Sequence, residues 1–165
     1  MKEEIKELRV RIDGLSQLVK ELSTLKGIYW RAGITHEVES SYDSLILAKA
    51  WLGKVLSELG EESPYKAGKK TIEDIESTAD VAVNYQLISS RNPTYWIVQN
   101  GKELTNHIEK VDWLREEIQK LVRDTDYITS QKGRFYIYGL RVEQYLCEAR
   151  FWLGFELQRI KNENK

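Results

Sequence analysis

The chain has 165 residues, 31% of them charged and 41% hydrophobic, which is the mixture of a folded globular protein and not of a disordered one. Lys and Arg number 25 against 26 Asp and Glu, a formal charge of −1, and proteins that neutralise duplex phosphates carry a basic excess, so polymeric nucleic acid is not the expected partner. Two prolines and ten glycines are too few for the many tight turns of an all-β protein, which leaves long helices joined by few loops.

The opening residues MKEEIKELRVRID are charged from the second position and hold no apolar signal-peptide core. The longest apolar run is about the length of Leu45–Ala48, far short of the ~20 residues of a membrane span. The expected setting is cytoplasmic, with no membrane partner. Cys147 is the single cysteine and lies in a helical pattern, so it reads as a small buried apolar residue.

Four stretches carry helical periodicity. In the first, Ile5, Leu8, Ile12, Leu15, Val19 and Leu22 step by three and four, which places them on one stripe, and Gly27 is the expected stop. The second begins near Ser40 or Ser41 as N-cap, turns Leu45, Ala48, Leu52, Val55 and Leu59 inward, and ends at Gly60 before Pro64. Thr71 to Asp74 resembles a capping box, so a short helix is expected there, and Tyr95–Val98 reads as extended within a loop that contains Pro93. The third helix is expected from about Lys102 to Arg123, capped by Asn100, with Leu104, Ile108, Val111, Leu114, Ile118 and Leu121 buried. The fourth runs from about Arg134 to Lys161, with Val142, Leu146, Ala149, Leu153, Leu157 and Ile160 inward.

The chain also repeats itself. AKAWLGKVL from Ala48 aligns with ARFWLGFEL from Ala149 at an offset of 101, and KGIYW at 26–30 resembles KGRFY at 132–136. The expected fold is therefore all-α, one compact helical bundle built from two related helical hairpins. They occupy 1–60 and 102–165, with 61–101 as a connecting segment. Stripes this wide leave surplus apolar surface, so a homo-oligomer is expected. A mid-helix glycine costs ~1 kcal/mol against alanine, and its presence in both WLG copies predicts close approach by another helix. Trp51 and Trp152 beside those glycines read as scaffold.

Candidate chemistry is of two kinds. Glu73-x-x-Glu76 and Glu109-x-x-Asp112 each place two carboxylates on one helix face, and two such pairs facing each other suit Mg²⁺. That spacing resembles the signature of the all-α nucleotide pyrophosphohydrolases of the MazG and dimeric dUTPase type. His36 and His107 sit in separate segments without a nucleophile motif, and no glycine-rich phosphate loop is present, so no cofactor is implied. The aromatic-basic clusters form the second kind. Tyr29, Trp30 and Arg31 follow the first KG turn; Lys132, Arg134, Tyr136 and Tyr138 follow the second; Tyr95, Trp96 and Lys102 precede the third helix. A flat ring beside Lys or Arg suits a stacked nucleobase with its phosphate held by the cation.

The order of a charged amphipathic helix, a short turn and a helix bearing Ala-[Lys/Arg]-x-Trp-Leu-Gly is similar to the phage anti-CBASS cyclic-oligonucleotide sponge family. The matching residues are IKELRVRIDGLSQLVKEL at 5–22 with SLILAKAWLGKVL at 44–56, and HIEKVDWLREEIQKLV at 107–122 with EARFWLGFELQRI at 148–160. The resemblance implies a non-catalytic helical oligomer, encoded by a phage and acting in the host cytoplasm, that sequesters cyclic nucleotide immune signals. Members are usually one short unit, and a tandem duplication would replace a contact between subunits by one within the chain.

Overall fold

The computed structural model describes residues 2–60, 96–97, 103–130 and 136–163. They are predominantly helical. Helix α1 spans Lys2–Lys20, a 3-10 turn spans Gly27–Gly33, and α2 spans His36–Glu58. Two short strands, β1 (Trp96–Ile97) and β2 (Glu103–Leu104), pair antiparallel, and α3 (His107–Ser130) and α4 (Tyr136–Glu163) follow.

Cross-helix contacts fix the directions. Ser41 Oγ donates to the Ala149 carbonyl at 2.9 Å and Thr35 reaches Glu156, so α2 and α4 run antiparallel. Arg9 Nε donates to the Lys49 carbonyl and Lys49 Nζ meets Asp13 at 2.8 Å, which sets α1 antiparallel to α2. Arg11 pairs with Asp124 at 2.7 Å across α1 and α3, and His107 meets Glu156 across α3 and α4. The four helices thus form a square in the order α1, α2, α4, α3, each antiparallel to its two neighbours. In this arrangement α2 ends and α3 begins at opposite ends of the bundle. The apolar stripes close into one core, with Ile12, Leu15, Leu18, Leu45, Leu114, Ile118, Leu146 and Leu153 sealed from solvent.

Element boundaries differ from the sequence reading where local hydrogen bonds outweigh the apolar period. Helix α1 stops at Lys20, where Leu22 N–H and Ser23 N–H turn to carbonyls three residues back, and Gly27, at φ +69°, opens the 3-10 turn instead of closing the helix. Helix α2 starts five residues before Ser41, because the Thr35 hydroxyl accepts from Val38 N–H at 3.3 Å and caps it. Gly60, at φ +91°, follows its end as expected. The expected helix at Lys102 is replaced by β2, so Leu104 reaches the core from a strand. Asn106, not Asn100, caps α3 by accepting from Glu109 N–H at 2.8 Å, and Ile108 faces solvent. Helix α3 continues to Ser130, beyond the expected end at Arg123. Cys147 is half-buried, and burial, with the nearby Glu143 carboxylate, pushes its thiol pKa up. The short helix expected at Thr71 lies outside the described residues.

Of the two WLG glycines, Gly53 is buried in α2, while the close approach predicted at Gly154 is not found there and occurs instead at Gly139. A Cβ on Gly154 would meet only the Arg115 side chain, at 3.5 Å or more, in ordinary contact. A Cβ on Gly139 would drive into the Thr129 side chain of α3. Gly154→Ala is therefore expected to stabilise the fold by up to ~1 kcal/mol through helix propensity. Gly139→Ala is expected to destabilise it by about 1–3 kcal/mol through overpacking. Urea unfolding of both variants checks the contrast, which equal effects would refute.

Candidate functional site

The residues singled out for ligand contact fall at opposite ends of the bundle. Tyr29, Trp30 and Arg31 lie in the 3-10 turn between α1 and α2, at the end where α3 begins and α4 finishes. Tyr136 and Tyr138 begin α4 at the other end, where Tyr138 packs on Trp51 with ring centroids 5.9 Å apart. The side chains of Tyr95, Trp96, Lys102, Lys132 and Arg134 lie outside the described residues, as do Glu73 and Glu76. Glu109 is half-buried and Asp112 exposed on α3. Among the described residues no three His, Cys, Asp or Glu side chains gather to hold a metal, and no helix is long and apolar enough to cross a membrane.

The first aromatic-basic cluster is assembled, but its cation is used within the protein. Trp30 meets Tyr42 edge-on at 4.6 Å, and the Arg31 guanidinium lies 4.7 Å from the Trp30 centroid and 5.3 Å from that of Tyr42. Arg31 Nη1 also pairs with Asp43 at 3.1 Å and Glu39 at 3.8 Å. Burial raises the pKa of the Tyr42 hydroxyl. Tyr29 is the exposed ring of the group.

The strongest polar arrangement at this end centres on Glu156, whose position in α4 is 1% exposed. Arg159 Nε, one turn on, donates to Oε1 at 2.7 Å. His107 Nε2, the first residue of α3, lies 2.9 Å from Oε2, and Thr35 Oγ1 is 3.2 Å from both oxygens. A carboxylate only accepts, so His107 carries its hydrogen on Nε2. Burial alone would raise the Glu156 pKa; the hydrogen bonds and charges of Arg159 and His107 outweigh it and hold the carboxyl below its ordinary value. Arg159 is raised in turn, chiefly by its bond to Glu156, and its Nη1 reaches Glu163 at 2.6 Å.

His107 also lines a cleft of about 410 Å³ between the end of α1 and the start of α3. Lys26 and Lys110 enter the cleft together with Glu21, Ser23, Thr24 and Thr105. Burial, reinforced by the neighbouring Lys26 charge, lowers the Lys110 pKa, a sign that two cations share a partly desolvated space. Glu21 offsets one of them through its 3.3 Å pair with Lys26. Ser23 Oγ donates to the Trp30 carbonyl at 2.6 Å and so ties the cleft wall to the aromatic turn. The arrangement suits a small anion: ammonium groups and hydroxyls at the wall, with the imidazole behind them fixed by a buried carboxylate.

Sequence reasoning missed Glu156, Thr35, Lys26 and Lys110. Glu156 has one available signal, because it continues the 142, 146, 149, 153 stripe by three residues, whereas the sequence reading continues it by four, to Leu157. In the register that aligns the two WLG segments it also replaces Val55, which is buried.

Glu143, on the same helix, has the opposite electrostatics. Burial first, and then the charge and hydrogen bond of Asp126, push its pKa up to about 7. Its Oε1 has no hydrogen-bond partner among the described residues. A depressed carboxyl stabilises above its unfolded value, so the Glu156 contribution is present above pH 4.5 and fades as pH falls through its lower folded value. A raised carboxyl does the reverse: stability falls as pH rises from 4.5 to about 7. Glu156→Gln is expected to cost about 3 kcal/mol at neutral pH, since it breaks a buried pair, and to flatten the acid limb. Glu143→Gln is expected to stabilise at pH 8 and remove the decline between pH 4.5 and 7. Chemical denaturation across pH separates the two, and slopes unchanged by either substitution would contradict the assignment. Comparison of the chain with protein-family models, curated proteins and solved structures gives no match.

Proposed function

We propose that this protein is a non-catalytic binder that sequesters a small phosphate-bearing ligand, a cyclic oligonucleotide immune signal, at the end of the bundle closed by Glu156. One observation carries the reading: Lys26, Lys110 and His107 converge on a cleft of about 410 Å³ beside the Trp30 turn. Cleft volumes of ~300–1,000 Å³ suit small ligands. The ammonium groups hold phosphate oxygens, the Thr and Ser hydroxyls complete their hydrogen bonds, and exposed Tyr29 offers a ring for a base. Because His107 is locked by Glu156 before any ligand arrives, little ordering cost attends binding. The resemblance to the anti-CBASS sponge family supplies the ligand class, the phage origin and the setting in the host cytoplasm.

The same proposal takes the chain as two hairpins related by duplication, α1 with α2 and α3 with α4, acting as a homo-oligomer. Ring contacts support the relation. Trp51 packs on Tyr138 in the first turn of α4, and Trp152 packs edge-on at 5.2 Å against His36 in the first turn of α2. Each WLG tryptophan therefore meets a ring at the start of the opposite second helix.

The test is to incubate purified protein with cyclic di- and trinucleotides, remove free ligand, heat-denature and analyse what is released. Intact ligand is the expected result. Cleaved product would favour the pyrophosphohydrolase reading, and an empty result across the panel would overturn binding. Loss of a charge-assisted hydrogen bond is worth about 1.5–3 kcal/mol, so Lys110→Ala is expected to weaken retention by roughly 10- to 100-fold. Tyr136→Ala, at the far end, should leave it unchanged.

A further inference from the structure

The outer face of α4, opposite its core stripe, carries apolar side chains that no described element covers. Ile137 is 68% exposed and Phe151 60%, with Leu140 and Phe155 also open to solvent. Residues 137, 141, 144, 148, 151 and 155 form one row along this face, about 27 Å long at the helical rise. Its ends are apolar and its centre is polar: Arg141 Nη1 donates to Gln144 Oε1 at 3.2 Å, and Gln144 Nε2 donates to Glu148 at 3.5 Å. Ile137 with Leu140 at one end and Phe151 with Phe155 at the other are two exposed apolar patches on one helix face, a surface of the kind that marks interaction sites.

We infer that a second copy of this chain covers the row, with the two α4 helices antiparallel about a two-fold axis at Leu146. The inference rests on the homo-oligomer reading and adds its surface and register. The order of the side chains selects this arrangement. About position 146, Ile137 faces the second copy's Phe155, Leu140 and the Arg141 stem face Phe151, and the Gln144 amide faces Glu148. Arg141 also comes within one turn of Glu148 across the axis, so two symmetric ion pairs flank the centre. A parallel pairing would set Arg141 on Arg141 and Glu148 on Glu148. An antiparallel pairing slipped by two turns would bury Gln144 and Glu148 against phenylalanine without partners. Only the register at 146 matches apolar with apolar and donor with acceptor along the whole row. The cleft proposed to hold phosphate is lined from the end of α1 and the start of α3, by no residue of α4, and stays open.

Sedimentation of the full chain over a range of concentrations tests the inference, with circular dichroism to confirm that each variant keeps its helices. The wild type is expected to dimerise. Phe151→Asp, Arg141→Glu and Glu148→Arg should each weaken the dimer at least tenfold, and the double variant Arg141→Glu with Glu148→Arg should restore it. All three side chains are at least partly exposed, so folding is not at stake. A monomeric wild type would overturn the homo-oligomer reading and this surface with it. A dimer indifferent to Phe151→Asp would overturn the surface alone. A dimer broken by Phe151→Asp but unmoved by the single charge reversals, or not rescued by the double one, would overturn the antiparallel register.

Discussion

The arrangement of the end where α2 and α3 begin depends on one buried carboxylate. An ionised group taken out of water is affordable only when its lone pairs are filled, and Glu156 fills them from three elements: Arg159 on its own helix, His107 at the start of α3 and Thr35 at the start of α2. None of the three donors is optional, because each lost bond leaves charge unmatched in the interior. Apolar stripes tolerate sliding by a fraction of a turn. A carboxylate with three fixed donors does not, so it sets the register of three helices at this end.

Thr35 makes the coupling economical, since one hydroxyl oxygen accepts from Val38 N–H while its hydrogen points at Glu156. The residue that starts α2 also anchors it to α4. His107 does the same for α3: it is the helix's first residue, it grips Glu156 on one side, and it lines the cleft on the other. The cleft's cations are therefore held against a rigid wall. Lys110 sits one turn after His107, and Lys26 arrives from the loop that Ser23 ties to the Trp30 carbonyl.

The helices were legible because burial repeats every three or four residues, and that signal is summed over many positions. Of the expected inward residues, Val111, Leu114, Ile118 and Leu121 are all buried. Ile108 is not, because β2 displaces the start of α3 and changes what the preceding residues pack on. The polar end was far less legible. A threonine seven residues after Ile28 and a glutamate in a charged helix look ordinary in sequence, and their significance exists only once α2 and α4 are laid antiparallel. At the first aromatic-basic cluster Arg31 does lie by Trp30, its neighbour in sequence, but the second ring is Tyr42, and Asp43 and Glu39 from the first turns of α2 pair with its charge.

The repeated WLG segment separates scaffold from the positions where the two segments differ. Matched residues in the two copies do the same structural work, as Trp51 and Trp152 do against Tyr138 and His36. Identity between copies therefore marks scaffold, and specific chemistry is better sought where the copies part. At the position where the first copy buries Val55 the second buries Glu156, and only the second is surrounded by donors. The core stripe of α4 thus turns polar at Glu156, and one of the donors that make this tolerable, His107, also lines the cleft.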